Sequence, residues 1–310
     1  MNLKAFISGK IDEIKKTAGK EKTISALSGG VDSSACTVLA ARALGANLKN
    51  IFIDDGLMRE KEPESVRGVF KGLGIKVDII DARDEFFAAL EGQIDPEEKR
   101  KAFRHTFYSV FGKAVRQSGA RFLVQGTIKA DILETKGGVK TQHNILEQIG
   151  IDPDKGYGFK MIEPLKDLFK DEVRLVAKAV GLPREIHARM PFPGPGLATR
   201  VVGEVTPARV ALVRKATVIV EEEIARFKPF QAFAVLLNDQ GTGVVGGKRR
   251  FGNIIVIRSV ESTNALKAEA TNVPWTVLTR MAKRITTEIP QVTRVAYELT
   301  PKPPATIEYI

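Results

Sequence analysis

Apolar residues recur at helical spacing through residues 1–17, with Leu3, Phe6, Ile7, Ile11 and Ile14 set among Lys and Glu, which predicts an amphipathic first helix. The period then changes. Short, nearly unbroken apolar runs at 23–27, 50–56, 75–80, 121–125 and 161–165 read as buried strands. Helical patterns at 35–44, 62–73, 86–90, from Pro96 onward, and 170–180 separate them. Strand and helix alternate throughout, so the expected fold class is α/β, a doubly wound parallel sheet. Asp95-Pro96-Glu97-Glu98 has the chemistry of a helix start: Asp as cap, Pro in the first turn, acids behind it.

Periodicity is lost over 131–160, where Gly137, Gly138, Gly150, Gly156 and Gly158 fall among sparse apolar residues. A structureless stretch of that length in a compact domain is a functional lid or a solvated linker. Alternating Pro and Gly over 190–197 continues neither a helix nor a ladder, and predicts an extended connector at a domain boundary. Beyond it the order changes to helix (207–226), strands (231–237 and 253–259), helix (273–288) and strand (291–299), a second domain of α+β type. The expected division is therefore 1–190 and 191–310.

The first strand runs into Ser28-Gly29-Gly30-Val31-Asp32-Ser33-Ser34 and then into a helix. Adjacent glycines let backbone amides approach an anion, and the helix N-terminus adds unpaired N–H groups and the positive end of its dipole. Ser28, Ser33 and Ser34 offer hydroxyls. The loop has neither the Lys of a Walker A motif nor the third glycine of a dinucleotide fingerprint, and an ordinary capped turn is the plain alternative. Asp54 and Asp55 close the second strand at the sheet edge where ligands bind, although a cap or turn explains each equally well.

Composition changes this picture little. Hydrophobic residues make up 43% and charged residues 27% of 310, near globular averages. No signal-peptide run opens the chain and no stretch of membrane-spanning length occurs, so a soluble, cytoplasmic protein is expected, with no membrane partner. The single cysteine, Cys36, excludes an internal disulfide framework and reads as a small buried residue. The three histidines lack zinc spacing. A net charge of +11 fits nucleic acid, a site that handles several phosphates, or a solvated basic surface; no nucleic-acid motif accompanies it, and nucleic acid is the weaker reading. Within the basic run Lys99-Arg100-Lys101, a solvated helix face is the default and a phosphate grip by Arg100 the sharper option.

The order Ser-Gly-Gly-x-Asp-Ser-Ser after a strand resembles the pyrophosphate loop of the ATP-pyrophosphatases. The segments 52–57, 163–174, 191–197 and 302–308 narrow the resemblance to GMP synthetase, almost end to end. With the loop within thirty residues of Met1 and no glutaminase signature before it, the chain looks like the separate ATP-pyrophosphatase subunit of a two-subunit enzyme. What the resemblance implies is adenylylation of xanthosine monophosphate (XMP) by ATP, release of pyrophosphate, and displacement of AMP by ammonia from a glutaminase partner made as another chain.

By position, the resemblance assigns ATP binding to Ser28, Gly29, Gly30, Val31, Asp32, Ser33, Ser34, Ile53, Gln125 and Gly126, with Ile53 meeting adenine through its backbone. It assigns a catalytic role to Asp32 and to the lid residues Asp131, Glu134, Lys136, Lys140, Thr141 and His143, magnesium to Asp32 and Asp131, and XMP to Arg100, Gln231, Arg294, Lys302, Ile307 and Glu308. A homodimer through the C-terminal domain is implied too. Gln142, Met190, Asp55 and Tyr309 depart from the family's usual residues, and 238–242 lacks a common arginine. A tRNA-modifying relative and a nucleotide-sensing module without turnover are the rival readings.

Overall fold

The computed structural model describes residues 2–136, 160–263 and 265–310, excepting the side chains of 133–136 and 245. The chain divides into two compact units. One comprises 1–54, 61–82 and 107–189, the other 55–60, 83–106 and 190–310.

The first unit is built on five parallel strands: β1 (Thr23–Leu27), β2 (Leu48–Asp54), β3 (Asp78–Asp81), β4 (Phe122–Val124) and β5 (Lys160–Ile162), in the order β3-β2-β1-β4-β5. β1 and β2 are buried almost throughout, as central strands covered on both faces require. Helices α1 (Leu3–Ala18), α2 (Val31–Leu44), α3 (Glu62–Gly72) and α6 (Lys129–Lys136) belong to this unit, with α7 (Lys170–Ala179) and α8 (Arg184–His187); α4 (Arg83–Leu90) lies in the second, and α5 (Pro96–Ser118) runs through both ranges. The capping expected at Asp95 is present: its Oδ1 accepts from the N–H of Glu97 (2.8 Å) and Glu98 (3.0 Å). β3 begins later than its apolar pattern suggests, because the N–H of Ile75 is spent on the Phe70 carbonyl, closing α3.

The second unit carries a four-stranded sheet of β6 (Gln231–Val245), β7 (Lys248–Glu261), β8 (Glu269–Ala270) and β9 (Val292–Glu298). β7 pairs antiparallel with β6 and β8 and parallel with β9. Helices α9 (Pro207–Ile224) and α10 (Trp275–Glu288) complete it. The expected strands 231–237 and 253–259 fall short: β6 and β7 form one long hairpin turned by Gly246 and Gly247, both at positive φ. Gly241, Gly243 and Gly252 disguise it as a loop. They are bare because Arg294 and Thr293 lie across them, within 2.3–2.8 Å of any added Cβ. The connector expected to be extended turns at Gly196–Arg200 into a 3-10 helix. Lys99 corrects the reading of a solvated basic face: it is wholly buried and donates to the Val201 carbonyl at 2.7 Å. No helix among the described residues is long and apolar enough to cross a membrane.

Candidate active site

In the order β3-β2-β1-β4-β5 the connections from β1 and β4 leave in opposite directions, so a crevice opens between their carboxyl ends. A cavity of about 350 Å³ lies there, walled by Ser28, Asp32, Ser33, Gln125, Gly126 and Asp131 on its polar side and by Phe107, Tyr108 and Phe111 on its apolar side.

Its floor is the glycine loop. Gly29 has φ +73°, a left-handed value that glycine adopts without strain. Gly30 caps α2 without a side chain, so the first-turn amides of Val31, Asp32 and Ser33 have no partner inside the helix. The Ser33 hydroxyl holds the loop closed: it lies 3.0 Å from Ser28 Oγ, accepts from the Ser28 N–H at 3.2 Å and donates to the Gly30 carbonyl at 3.2 Å. Ser34, by contrast, is fully buried, with Oγ unpartnered among the described residues. The opposite lip must come very close. A Cβ on Gly126 would sit 2.8 Å from the Ser33 nitrogen and 3.0 Å from the Asp32 carbonyl carbon.

Burial pushes the Asp32 carboxyl above the ordinary aspartate range and the nearby charge of Asp131 adds to that, while Lys170 and Arg174 pull it down. Lys170 donates to Asp32 Oδ2; Oδ1 is buried without a partner among the described residues. Asp131 accepts from the Ile128 N–H at 3.0 Å. Two carboxylates, one with an unused oxygen, beside a phosphate-shaped loop are the donor set a magnesium ion takes when phosphate and water complete its shell. Among the described residues no cluster of three such ligands occurs.

Gln125 and Gly126 line this cavity, and Gln125 Oε1 is likewise buried and unpartnered among the described residues. Ile53 lies near the carboxyl end of β2 and is not among the residues that line this cavity. Asp55 is taken up in its own turn, accepting from the Leu57 N–H at 2.8 Å. Glu134 and Lys136 fall on α6 with side chains outside the described set, and Lys140, Thr141 and His143 lie outside the described residues. Cys36 is buried as expected: its thiol donates to the Gln125 carbonyl at 3.5 Å and burial pushes its pKa up.

Three contributors escape a reading of the sequence. Lys170 opens α7, where the helix dipole disfavours a cation, and that misplacement is itself the signal of an anionic partner. Arg189 and Glu62 stand behind the loop. Arg189 donates to the Gly29 carbonyl at 2.6 Å and to both oxygens of Glu62 at 2.6 and 2.8 Å, a pairing that only the fold brings together.

In the second unit the fold joins Gln231 to Glu308, whose carboxylate also receives Nε and Nη2 of Arg200 at 3.1 and 3.0 Å. Arg200 is 1% exposed and lies between the rings of Phe192 (4.8 Å) and Phe233 (4.0 Å), an arrangement that favours a guanidinium over an ammonium. Ile307 packs on Val260 and Ala268. Lys302 donates to the Ala265 carbonyl at 2.9 Å, Arg294 lies over Gly241, and Arg100 pairs with Glu97 of its own helix at 2.6 Å.

A parallel sheet with an anion loop at its switch point defines an enzyme of the nucleotide-binding α/β class, and the NAD synthase family model accordingly matches residues 2–194, with the model of the GMP synthase C-terminal domain matching 219–309. Curated relatives agree over the whole length, and each is a subunit of a glutamine-hydrolyzing GMP synthase. That of Pyrococcus abyssi is 50% identical over all of both chains, that of Archaeoglobus fulgidus is 51% identical over all of both, and that of Pyrococcus furiosus is 52% identical over 98% of this chain and 96% of its own. The chain belongs to this family of GMP synthase subunits. A solved NH3-dependent NAD synthetase from Campylobacter jejuni overlays 61% of this chain and 77% of its own, at TM-score 0.47 and 18% identity, too distant to add to this.

Proposed function

We infer that this chain aminates XMP to GMP while splitting ATP into AMP and pyrophosphate, with ammonia delivered by a separate glutaminase subunit. Full-length relatives named as subunits of glutamine-hydrolyzing GMP synthase support this. The geometric observation that carries it is the convergence of Ser28 and Ser33 of the glycine loop, the open N-terminus of α2 and the half-used carboxylate of Asp32 on one cavity. The O2 of XMP attacks the α-phosphorus, the bond to the bridging oxygen breaks, and pyrophosphate leaves; ammonia then displaces AMP from C2.

The residues divide the work as follows. Amides and hydroxyls from Ser28 to Ser34 receive the leaving diphosphate, since oriented donors stabilise the charge that develops on it. Gln125 and Gly126 flank the nucleotide and the Ile53 backbone meets adenine. Asp32 and Asp131 would hold magnesium, which when bound neutralises charge on the departing group. Residues 131–160, with Glu134, Lys136, Lys140, Thr141 and His143, serve as a lid that excludes water from the adenylylated intermediate. Residues 1–190 handle ATP. Residues 191–310, joined by Arg100, bind XMP through Gln231, Arg294, Lys302, Ile307 and Glu308, and this C-terminal region pairs two copies into a homodimer.

The test is to incubate the pure chain with ATP, magnesium, XMP and ammonium. AMP, pyrophosphate and GMP in equal amounts are expected; ADP as product, or turnover indifferent to XMP, overturns the reading.

A further inference from the structure

We propose that Arg189 is a positioning residue for pyrophosphate binding, acting through the Gly29–Gly30 peptide; the proposal rests on the function inferred above and names a residue which that function does not use. A trans peptide is planar, so its carbonyl and the following N–H point in opposite directions. Arg189 Nη1 holds the Gly29 carbonyl at 2.6 Å. The Gly30 N–H is therefore turned the other way, toward Ser28 Oγ at 3.4 Å, on the side where Ser28 and Ser33 line the cavity. Gly29 at φ +73° has no side-chain bulk to resist rotation of that peptide, and the loop's own hold on it is the long 3.4 Å contact to Ser28 Oγ, so the short bond from Arg189 is the stronger restraint on its direction.

Glu62 makes the clamp stiff. Both of its oxygens bind Arg189 Nη2, at 2.6 and 2.8 Å, and Glu62 is only 4% exposed. The same carboxylate fills the space a Cβ on Gly29 would need, with Oε1 2.3 Å from that point. A buried acid behind an anion site repels the anion unless it is neutralised. Arg189 thus does two things with one fork: it cancels Glu62, and it spends its other nitrogen on the loop carbonyl. Lysine can do the first but has no planar fork with which to do both.

The experiment measures binding of inorganic pyrophosphate, with magnesium, and separately of XMP, to the full chain and to Arg189→Lys and Arg189→Ala, with circular dichroism to confirm folding. Arg189→Lys is expected to fold and to bind pyrophosphate roughly 10- to 100-fold more weakly, the worth of a charged hydrogen bond. Its affinity for XMP should be unchanged. Arg189→Ala should lose more, because the Arg189 charge facing Glu62 is then removed along with the bond to the loop carbonyl. If Arg189→Lys folds and binds pyrophosphate as the wild type does, or loses XMP to the same degree, the clamp is a structural brace and the proposal fails. If the wild-type chain itself binds no pyrophosphate, the inferred function fails and takes the proposal with it, an outcome recognisable because no variant is needed to see it.

Discussion

Lys170 donates its ammonium proton to one oxygen of Asp32, leaving the other oxygen buried and unpartnered among the described residues. The acid nearest the glycine loop is therefore half neutralised by the protein before any cation arrives. Burial raises its pKa and Lys170 opposes that rise. On the magnesium role inferred for it, Asp32 must be ionised to hold the cation, and activity is expected to fall as pH drops through its folded-state pKa. Removing Lys170 takes away the opposing influence and moves that fall to higher pH. Lys170→Met is expected to shift the acidic limb of the kcat/KM profile upward and to raise the KM for ATP roughly tenfold. An unmoved limb would detach Lys170 from Asp32.

Gly126 meets the start of α2 backbone to backbone. The atoms a methyl would strike, the Ser33 nitrogen and the Asp32 carbonyl carbon, cannot swing aside as a side chain can. Gly126→Ala is expected to cost about 1–3 kcal/mol in urea unfolding and to weaken ATP binding, because any relief displaces the amides that face the cavity. Gly9, inside α1 with nothing within 4 Å of an added Cβ, is the contrast: Gly9→Ala should raise stability by about 0.5–1 kcal/mol, as alanine does in a helix interior, and leave ATP binding unchanged.

The pair of Arg200 and Glu308 is exposed unequally, the arginine 1% and the glutamate 21%. Glu308→Gln leaves a buried guanidinium without its counter-charge and is expected to cost about 2–3 kcal/mol, below the value for a fully buried pair because solvent reaches the glutamate side. The KM for XMP should rise while that for ATP holds. Arg200→Met, which removes the buried charge itself, should cost less stability yet still raise the XMP requirement, since Glu308 is then held by Gln231 without its counter-charge.

Lys99 sets a pH dependence of its own. Burial, with Arg209 alongside, pulls its ammonium down to about 8 from an ordinary 10.5. Below the lower value both folded and unfolded chains are protonated and the burial cost is carried in full. Between the two values the folded state releases its proton while the unfolded chain retains it, so this residue's contribution to stability improves as pH rises through that window. The gap in melting temperature between wild type and Lys99→Met should thus shift in favour of the wild type between neutral pH and about pH 10. A gap independent of pH would mean that Lys99 does not change charge there.

The parallel sheet and its anion loop are legible in the sequence because both depend on local pattern. Buried central strands read as apolar runs, and a glycine turn between strand and helix keeps its character wherever the strand lies. Lys99 and the β6–β7 hairpin are not, because their determinants are tertiary. A lysine in a basic run is buried only because the Val201 carbonyl waits for it, and a glycine-rich stretch becomes a strand only because Thr293 and Arg294 cover it. Within the site, Asp32 and the serines announce themselves. Arg189 and Glu62 lie far from the loop in the chain and carry no motif of their own, so the clamp is visible only once the fold has assembled it.

The two lips of the cavity come from β1 and β4, neighbours in the sheet but distant along the chain. No peptide spanning the glycine loop alone, and no fragment that stops before Phe122, carries the receptor. Occupancy is consequently a reporter of sheet closure. Nucleotide should pull the folding equilibrium toward the native state by mass action, raising the melting temperature of the whole first unit with the logarithm of its concentration.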